Sequence, residues 1–410
     1  MSQATANGSF ERDLAVTNAD RHKLDPSEIA IGVIIGRTSE FFDFFVFAIA
    51  SVIVFPARIF SFTDPVTGTL YSFAIFALAF IARPFGTWLF MTIDRRHGKG
   101  VKLTIALFGL GTSTVAVAFL PTYDQIGMAA VWLLAALRIG QGISLGGTWD
   151  GLSSLLAMSA PDKHRGWWAM VPQLGAPFGL IVASGLFAFF HGFLPKEQFL
   201  DFGWQFPFFC AFAINVVALF ARLRIVATPE YIHQFQRREL QATRLRQTVR
   251  SYGRFIVIGA FTPLASFALF HMVTVFPLSW IALYTDQPIE RFLVIEMIGA
   301  AVGLLAIVVS GFVADQIGRR SLLGWSAGGI AVFALMAPLL LNGGDLGEVA
   351  FMILGFMLLG LAFGQSSGVV ASNFATEARY TSSALTSDLA WLVGAGFAPL
   401  VALLLSVKFG

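Results

Sequence analysis

A single cysteine, Cys210, stands among 410 residues, and charged residues make up only 12% of the chain. One thiol excludes a disulfide framework and a thiolate metal site, and in an apolar segment its role is packing. The six histidines are scattered, and no metal-ligand spacing, nucleophile elbow or phosphate-binding loop occurs. No enzyme chemistry, metal or cofactor is therefore expected. The low charge also excludes an ordinary soluble domain, in which roughly 25% of residues are charged. The net charge of +3 carries no nucleic-acid signal, because basic residues in such a chain report topology. No apolar run precedes Ile29, so no cleavable signal is expected and the first span itself is read as the targeting element.

What is present is apolar: 56% hydrophobic residues, with 43 phenylalanines, 40 glycines and 16 prolines. Membrane helices tolerate glycine and proline better than soluble ones, and small residues let helices approach closely. Continuous apolar runs of ~20 residues fit helices crossing a hydrocarbon core of ~30 Å, whereas barrel strands would be ~10 residues of alternating polarity. Such runs cover about 29–55, 69–92, 103–120, 127–157, 168–190 and 204–221. After a polar break, others cover about 255–283, 291–314, 321–341, 347–371 and 383–407. An all-α integral membrane protein with eleven spans is predicted. It divides into a tail (1–27), a six-helix bundle (28–222), a basic linker (223–253) and a five-helix bundle (254–410).

The loops alternate in charge. Twenty of the 27 basic residues fall on the side of the N-terminus, including eight arginines from Arg222 to Arg254. The positive-inside rule makes that side cytoplasmic, with the C-terminus external if there are eleven spans.

The first span carries Arg37, Glu40 and Asp43, spaced three apart so that they project from neighbouring turns of one face. A charged face cannot point at lipid, and its default reading is an ion or solute pathway. The alternative is an ion pair that only fixes packing, and Arg37, nearer the helix start, could snorkel to the interface.

The chain also repeats itself. Between the second and third spans it reads Gly86 through Asp94, Arg95 and Arg96 to Gly98 and Lys99. Between the eighth and ninth it reads Gly311, Asp315, Gly318, Arg319 and Arg320. A glycine-containing helix end, an aspartate, a glycine turn and basic residues at matching points of both halves indicate parallel pseudo-symmetry. The aspartate is expected to cap or pair across helix ends, forming a latch.

Here the sequence resembles the major facilitator superfamily, and within it the metabolite:proton symporters of small organic acids and zwitterions. The resemblance covers nearly the whole chain. It rests on Glu40-Phe-Phe-Asp43-Phe, on Ala82-Arg83-Pro84-Phe85-Gly86 and on both loop motifs. It rests equally on Arg138 through Gln141 and Gly142 to Gly147, on His164-Arg165-Gly166 and on Glu377-Ala-Arg379-Tyr380. It implies a two-bundle helical fold working by alternating access. Three departures stand out: a first loop motif one residue longer than usual, Thr148 in place of a glutamate with Asp150 two places on, and eleven spans where the family has twelve.

Counting along each span at ~1.5 Å per residue puts Glu40, Asp43, Arg83 and Arg138 near the bilayer midplane. Asp43, with Glu40 as second candidate, is read as the proton-coupling group, gaining and losing a proton as its distance to Arg138 changes. Arg138 and Arg83 offer forks for a substrate carboxylate. Gln141, Gln173, His271 and Gln365 are candidates to line the same cavity, with interhelical hydrogen bonds as the alternative for each. Gly86, Asp94, Arg95, Gly98, Asp150, Arg165, Asp315, Gly318, Arg319, Arg320, Glu377 and Arg379 are read as gate or loop-motif residues, and Glu296 and Asp388 as latch charges.

The expected function is proton-driven uptake of a small mono- or dicarboxylate across a bacterial-type inner membrane. The energy source is the proton gradient, and the partners are substrate, proton and lipid, with the chain a monomer. The alternatives are proton-antiport efflux of a hydrophobic or aromatic compound, and a degenerate carrier serving as membrane sensor or structural partner.

Overall fold

The computed structural model describes residues 26–148, 156, 162–226, 242–366, 374 and 376–409. Helix α1 runs Pro26–Ile53, α2 Pro65–Ala118 and α3 Met128–Gly147. Helix α4 (Arg165–Met170) passes through a tight turn at Val171–Leu174 into α5 (Gly175–Phe193), and α6 is Gln205–Val226. The second half begins with α7 (Leu245–Phe261), α8 (Leu264–Thr274) and α9 (Phe276–Tyr284), followed by α10 (Ile289–Ile317), α11 (Arg319–Leu341) and α12 (Gly344–Phe363). Helix α13 (Thr376–Ala390) continues through a π turn at Trp391–Gly396 into α14 (Ala398–Phe409).

Nine helices among the described residues are long and apolar enough to cross a bilayer. One of them, α2, is 54 residues long and folds at Gly98, so it supplies the second and third expected spans. Helix α1 has 28 residues and is set apart by Arg37, Glu40 and Asp43 within its apolar run. Helix α3, within the run 127–157, ends at Gly147; beyond it only Thr148 and Leu156 of that run are among the described residues. Asp150 and residues 227–241 of the linker lie outside the described residues.

The two loop motifs fold alike. Gly98 has φ 84° and ψ 168°, and Gly318 has φ 84° and ψ 144°. A left-handed φ at both turns is why glycine stands there. Each turn drops the chain from one long helix straight into the next.

Helix α1 packs on α5 and α6, and α2 on α3 and α6; in the second half α10 and α11 pack on α12. The halves meet along two seams: α10 against α4 and α5, and the α13–α14 rod against α2. Gly86 draws α2 onto α3, where an added Cβ would lie 2.0 Å from the Ile143 carbonyl oxygen. Between the seams lies a cluster of rings. Phe41 packs on Phe270, Phe363 and Trp391, and Phe44 on Phe45, Phe76 and Phe80. In a bilayer no hydrophobic effect drives helices together, so this contact rests on ring geometry and packing.

Candidate translocation site

A small cavity of about 30 Å³ sits between the halves, lined by Arg37, Glu40, Phe41, Phe44, Ala79, Phe80, Arg83, Leu145 and Trp391. Two of the intramembrane charges expected at the site, Glu40 and Arg83, face it directly. So does Arg37.

Glu40 is clamped from two sides. Arg37 Nη1 donates to its Oε2 and Arg222 Nη2 to its Oε1, each at 2.5 Å. Arg222 is fully buried and also donates to the Thr148 carbonyl at 2.7 Å. The sequence places Arg222 at the last residue of the first bundle and counts it with the arginines of the cytoplasmic side. It lies inside α6, and Gly36 makes room for it, since a Cβ there would fall 2.3 Å from Arg222 Nε. The signal was available: a glycine one residue before Arg37 faces an arginine only four residues from the end of an apolar helix.

Asp43 is 2% exposed. Asn215 Nδ2 donates to its Oδ2 at 2.5 Å, and Ser39 Oγ donates to Asn215 Oδ1 at 2.8 Å. Its Oδ1 has no hydrogen-bond partner. Among the described ion pairs none joins Asp43 to Arg138. Arg138 Nη1 donates to Gln141 Oε1 at 2.9 Å, and Gln141 Nε2 to Thr114 Oγ1 at 3.0 Å. That leaves the Thr114 hydroxyl its own proton to donate, with the Asp43 carboxyl beside it but not hydrogen-bonded to it. Gln141 of α3 and Thr114 of α2 thus stand between Arg138 and Asp43.

Arg138 stands behind a wall of rings. Its guanidinium lies 4.1 Å from the Phe47 ring centroid and 4.7 Å from that of Phe76, with Nη2 lacking a hydrogen-bond acceptor. Cation–π attraction holds it there while it faces no anion. His271 is fully buried in the same wall, stacked on Phe44 at 4.9 Å, with Nε2 unpartnered. Arg37 and Arg83 border the cavity, whereas Arg138 stands behind Phe44 and Phe76.

Two candidates fall elsewhere. Gln365 is not at the cavity: its Nε2 donates to the Gly166 carbonyl at 3.0 Å and its Oε1 accepts from Arg319 Nε at 3.3 Å. Gln173 reaches Ser366 Oγ across the halves at 3.4 Å. Both belong to the α4–α10 seam near the basic loops.

The seams are latched at that basic end. Tyr380 donates to Asp94 Oδ2 at 3.3 Å and accepts from Lys102 Nζ at 2.8 Å, with Lys99 3.6 Å above its ring. On the other seam Asp315 accepts from the backbone N–H groups of Gly166 (2.6 Å) and Trp167 (3.2 Å), capping α4, as carboxylates do at helix starts. Arg319 donates to the Arg165 carbonyl at 3.3 Å and Arg95 to the Thr243 carbonyl at 2.9 Å. Arg165 and Arg320 are exposed, Arg379 is half-buried, and the side chain of Glu377 lies outside the described residues. Deeper in, Arg83 Nε pairs with Asp388 Oδ1 at 2.8 Å, and Thr87 Oγ1 donates to Asp388 Oδ2 at 2.5 Å. Asp94, Thr87, Arg83, Phe80 and Phe76 recur every three, four or seven residues on one face of α2, so latch, ion pair, cavity wall and ring cluster stack in layers.

Comparison with known proteins agrees with this architecture. The profile of the Major Facilitator Superfamily matches residues 33–399. The inner membrane metabolite transport protein YhjE of Escherichia coli K12 is 35% identical over 391 residues, covering 94% of this chain and 89% of its own. The shikimate transporter of the same organism is 28% identical over 391 residues, covering 93% of this chain and 88% of its own. Among solved structures, the D-xylose-proton symporter superposes with a TM-score of 0.69 at 17% identity, covering 92% of this chain and 90% of that one, a likeness of fold. Two pseudo-symmetric helical halves, a charged cavity between them and a profile spanning nearly the whole length agree: this chain is a multi-pass membrane transporter of the major facilitator superfamily.

Proposed function

We propose that the chain takes up a small organic acid together with a proton, by alternating access, with the basic loops on the cytoplasmic side. The observation that carries this is the buried carboxyl of Asp43, held by Asn215 on one oxygen and without a hydrogen bond on the other, with Thr114 and Gln141 standing between it and Arg138, whose Nη2 has no acceptor. A carboxyl so placed is neutral when isolated from cations and ionised when an arginine reaches it, so a small movement of Arg138 exchanges a proton. The cavity supports the substrate class. Arg37 and Arg83 offer guanidinium forks, and Phe41, Phe44, Phe80 and Trp391 offer flat apolar walls, which suits a compact carboxylate, cyclic ones included. The shikimate transporter among the relatives carries such an acid.

Uptake of labelled organic acids by expressing cells, with and without a protonophore, tests the reading. Protonophore-sensitive uptake of one acid, lost in Arg138→Ala, is the expected result. Asp43→Asn should abolish net uptake while keeping substrate binding; unchanged proton-dependent uptake in that variant would overturn the role of Asp43. The four aromatic walls also favour a second reading, proton-antiport efflux of an aromatic compound, and outward-directed counterflow would select it.

A further inference from the structure

One buried carboxyl in the second half takes no part in this scheme. Glu296, on α10, is completely shielded from solvent. Ser184 Oγ, on α5 of the other half, donates to its Oε2 at 2.9 Å, and its Oε1 has no hydrogen-bond partner. It lies on the far side of the cavity from the basic loops, beyond a small apolar space of about 20 Å³ bounded by Leu180, Phe270, Gly303 and Phe356. The same seam is bridged one to two turns further out by His191 Nδ1 and Glu290 Oε2, 3.0 Å apart.

Charged and titratable groups on the helices packed against α10 are engaged elsewhere or stand at its other end. His191 on α5 faces Glu290; on α12, Asp345 faces Arg291 and Glu348 accepts from Gln287. Tyr284 closes α9, while Arg165 on α4 and Arg319 and Arg320 on α11 lie at the basic end. Among the described residues no cation comes within ion-pair distance of Glu296. An ionised carboxylate enclosed in that way would carry a desolvation cost that one hydroxyl cannot offset.

We propose that Glu296 is a second proton-binding site, on the half opposite Asp43, which holds a proton while the α5–α10 seam is closed and releases it to water when that seam opens. With the proton in place the enclosed carboxyl is neutral, and Ser184 still donates to Oε2. When the seam opens, water replaces Ser184 and solvates the carboxylate. Closing is thereby tied to protonation on this seam, whichever solute occupies the cavity.

The test needs no substrate. In a Cys210→Ser background, Leu293→Cys places one thiol at a fully buried position of α10 between Glu290 and Glu296. The full chain is reconstituted in nanodiscs, open on both faces, and labelled with a charged methanethiosulfonate. Rates are divided by those of an exposed Gly192→Cys control, which removes the thiol's own pH dependence. The relative rate should rise several-fold between about pH 5.5 and about pH 8.5, and Glu296→Gln, which keeps the shape of the neutral acid, should hold it low and flat. Asp43→Asn should leave the rise intact, which separates this site from the coupling carboxyl. A flat parent profile, or the same rise in Glu296→Gln, would overturn the proposal. Total thiol after denaturation confirms that each variant is folded into the disc in equal amount.

Discussion

Arg83 on α2 and Asp388 on α13 form a 2.8 Å ion pair that ties the two halves together directly beneath the cavity. Both side chains are largely withdrawn from solvent, at 13% and 4% exposure. Removing one partner of such a pair strands the other charge, at a cost on the order of 3–5 kcal/mol, whereas removing both costs far less. Asp388→Asn and Arg83→Gln should each lower the melting midpoint of the detergent-solubilised protein, and the double variant should melt above both. Independent additive losses would show that the pair contributes no mutual stabilisation.

The clamp on Glu40 makes a second expectation. Arg222→Ala removes one guanidinium and opens space against α1, so the variant should melt lower and accumulate poorly in membranes. Gly36→Val should do the same without touching either charge, because its side chain claims the volume that Arg222 Nε now fills. Combining Gly36→Val with Arg222→Ala should add little to either alone. Full additivity in thermal midpoint would mean the two residues act independently.

Much of this was legible before any coordinates. Apolar runs of membrane length gave the helices, and the paired Asp-Gly-Arg loops gave the pseudo-symmetry that Gly98 and Gly318 now share as one backbone turn. Depth counting brought Glu40 and Arg83 to one cavity because rise per residue is fixed in a helix. It could not say which groups touch, since partners across a bundle depend on rotation about each helix axis. Hence Arg138, at the right depth, proved to face Phe47 and Phe76, and Gln365 proved to hold the seam at Gly166. The pairing of Arg222 with Glu40 was hidden for a different reason: the apolar run ends beside it, and a buried arginine at a helix end reads the same as a loop arginine until its partner is seen.

The two latches are built differently and should respond differently. Tyr380→Phe removes a hydroxyl that links Lys102 to Asp94 but leaves the ring under Lys99. Asp315→Ala removes both acceptors at the start of α4, a cap worth about 1 kcal/mol. Thiol labelling at the basic end should rise modestly in the first and more in the second. Equal labelling in the two would argue against capping as the stronger contact.

Outside the membrane, Asp64 caps α2 by accepting from Thr67 N at 3.0 Å, and hydrogen bonds from Thr67 hold its carboxyl below the usual range. A depressed folded value means the stabilisation is present above the unfolded pKa of about 3.9 and is lost as pH falls through the lower folded one. Amide exchange at Thr67 should therefore quicken, beyond its intrinsic acid dependence, once the pH drops below about 4. Asp64→Asn keeps an acceptor and should abolish that pH step.

The connection from Asp43 to Arg138 gives the most discriminating expectation. Gln141 both accepts from Arg138 and donates to Thr114, so Gln141→Leu cuts the chain while filling a similar volume. It leaves Asp43 its bond from Asn215 and leaves Arg138 its rings and the Phe76 carbonyl. The fold should survive, because each end keeps part of its support. Coupling should not: the proton on Asp43 would no longer sense where Arg138 points. Substrate exchange across the membrane should persist in Gln141→Leu while uptake driven by a pH gradient falls at least tenfold, a loss of about 1.4 kcal/mol in the coupling between the two sites. Thr114→Val should reproduce that split, since it breaks the chain at the next link. If both variants instead lose exchange and gradient-driven uptake in equal proportion, Gln141 and Thr114 serve binding or packing, and Asp43 must meet Arg138 directly at another stage of the cycle.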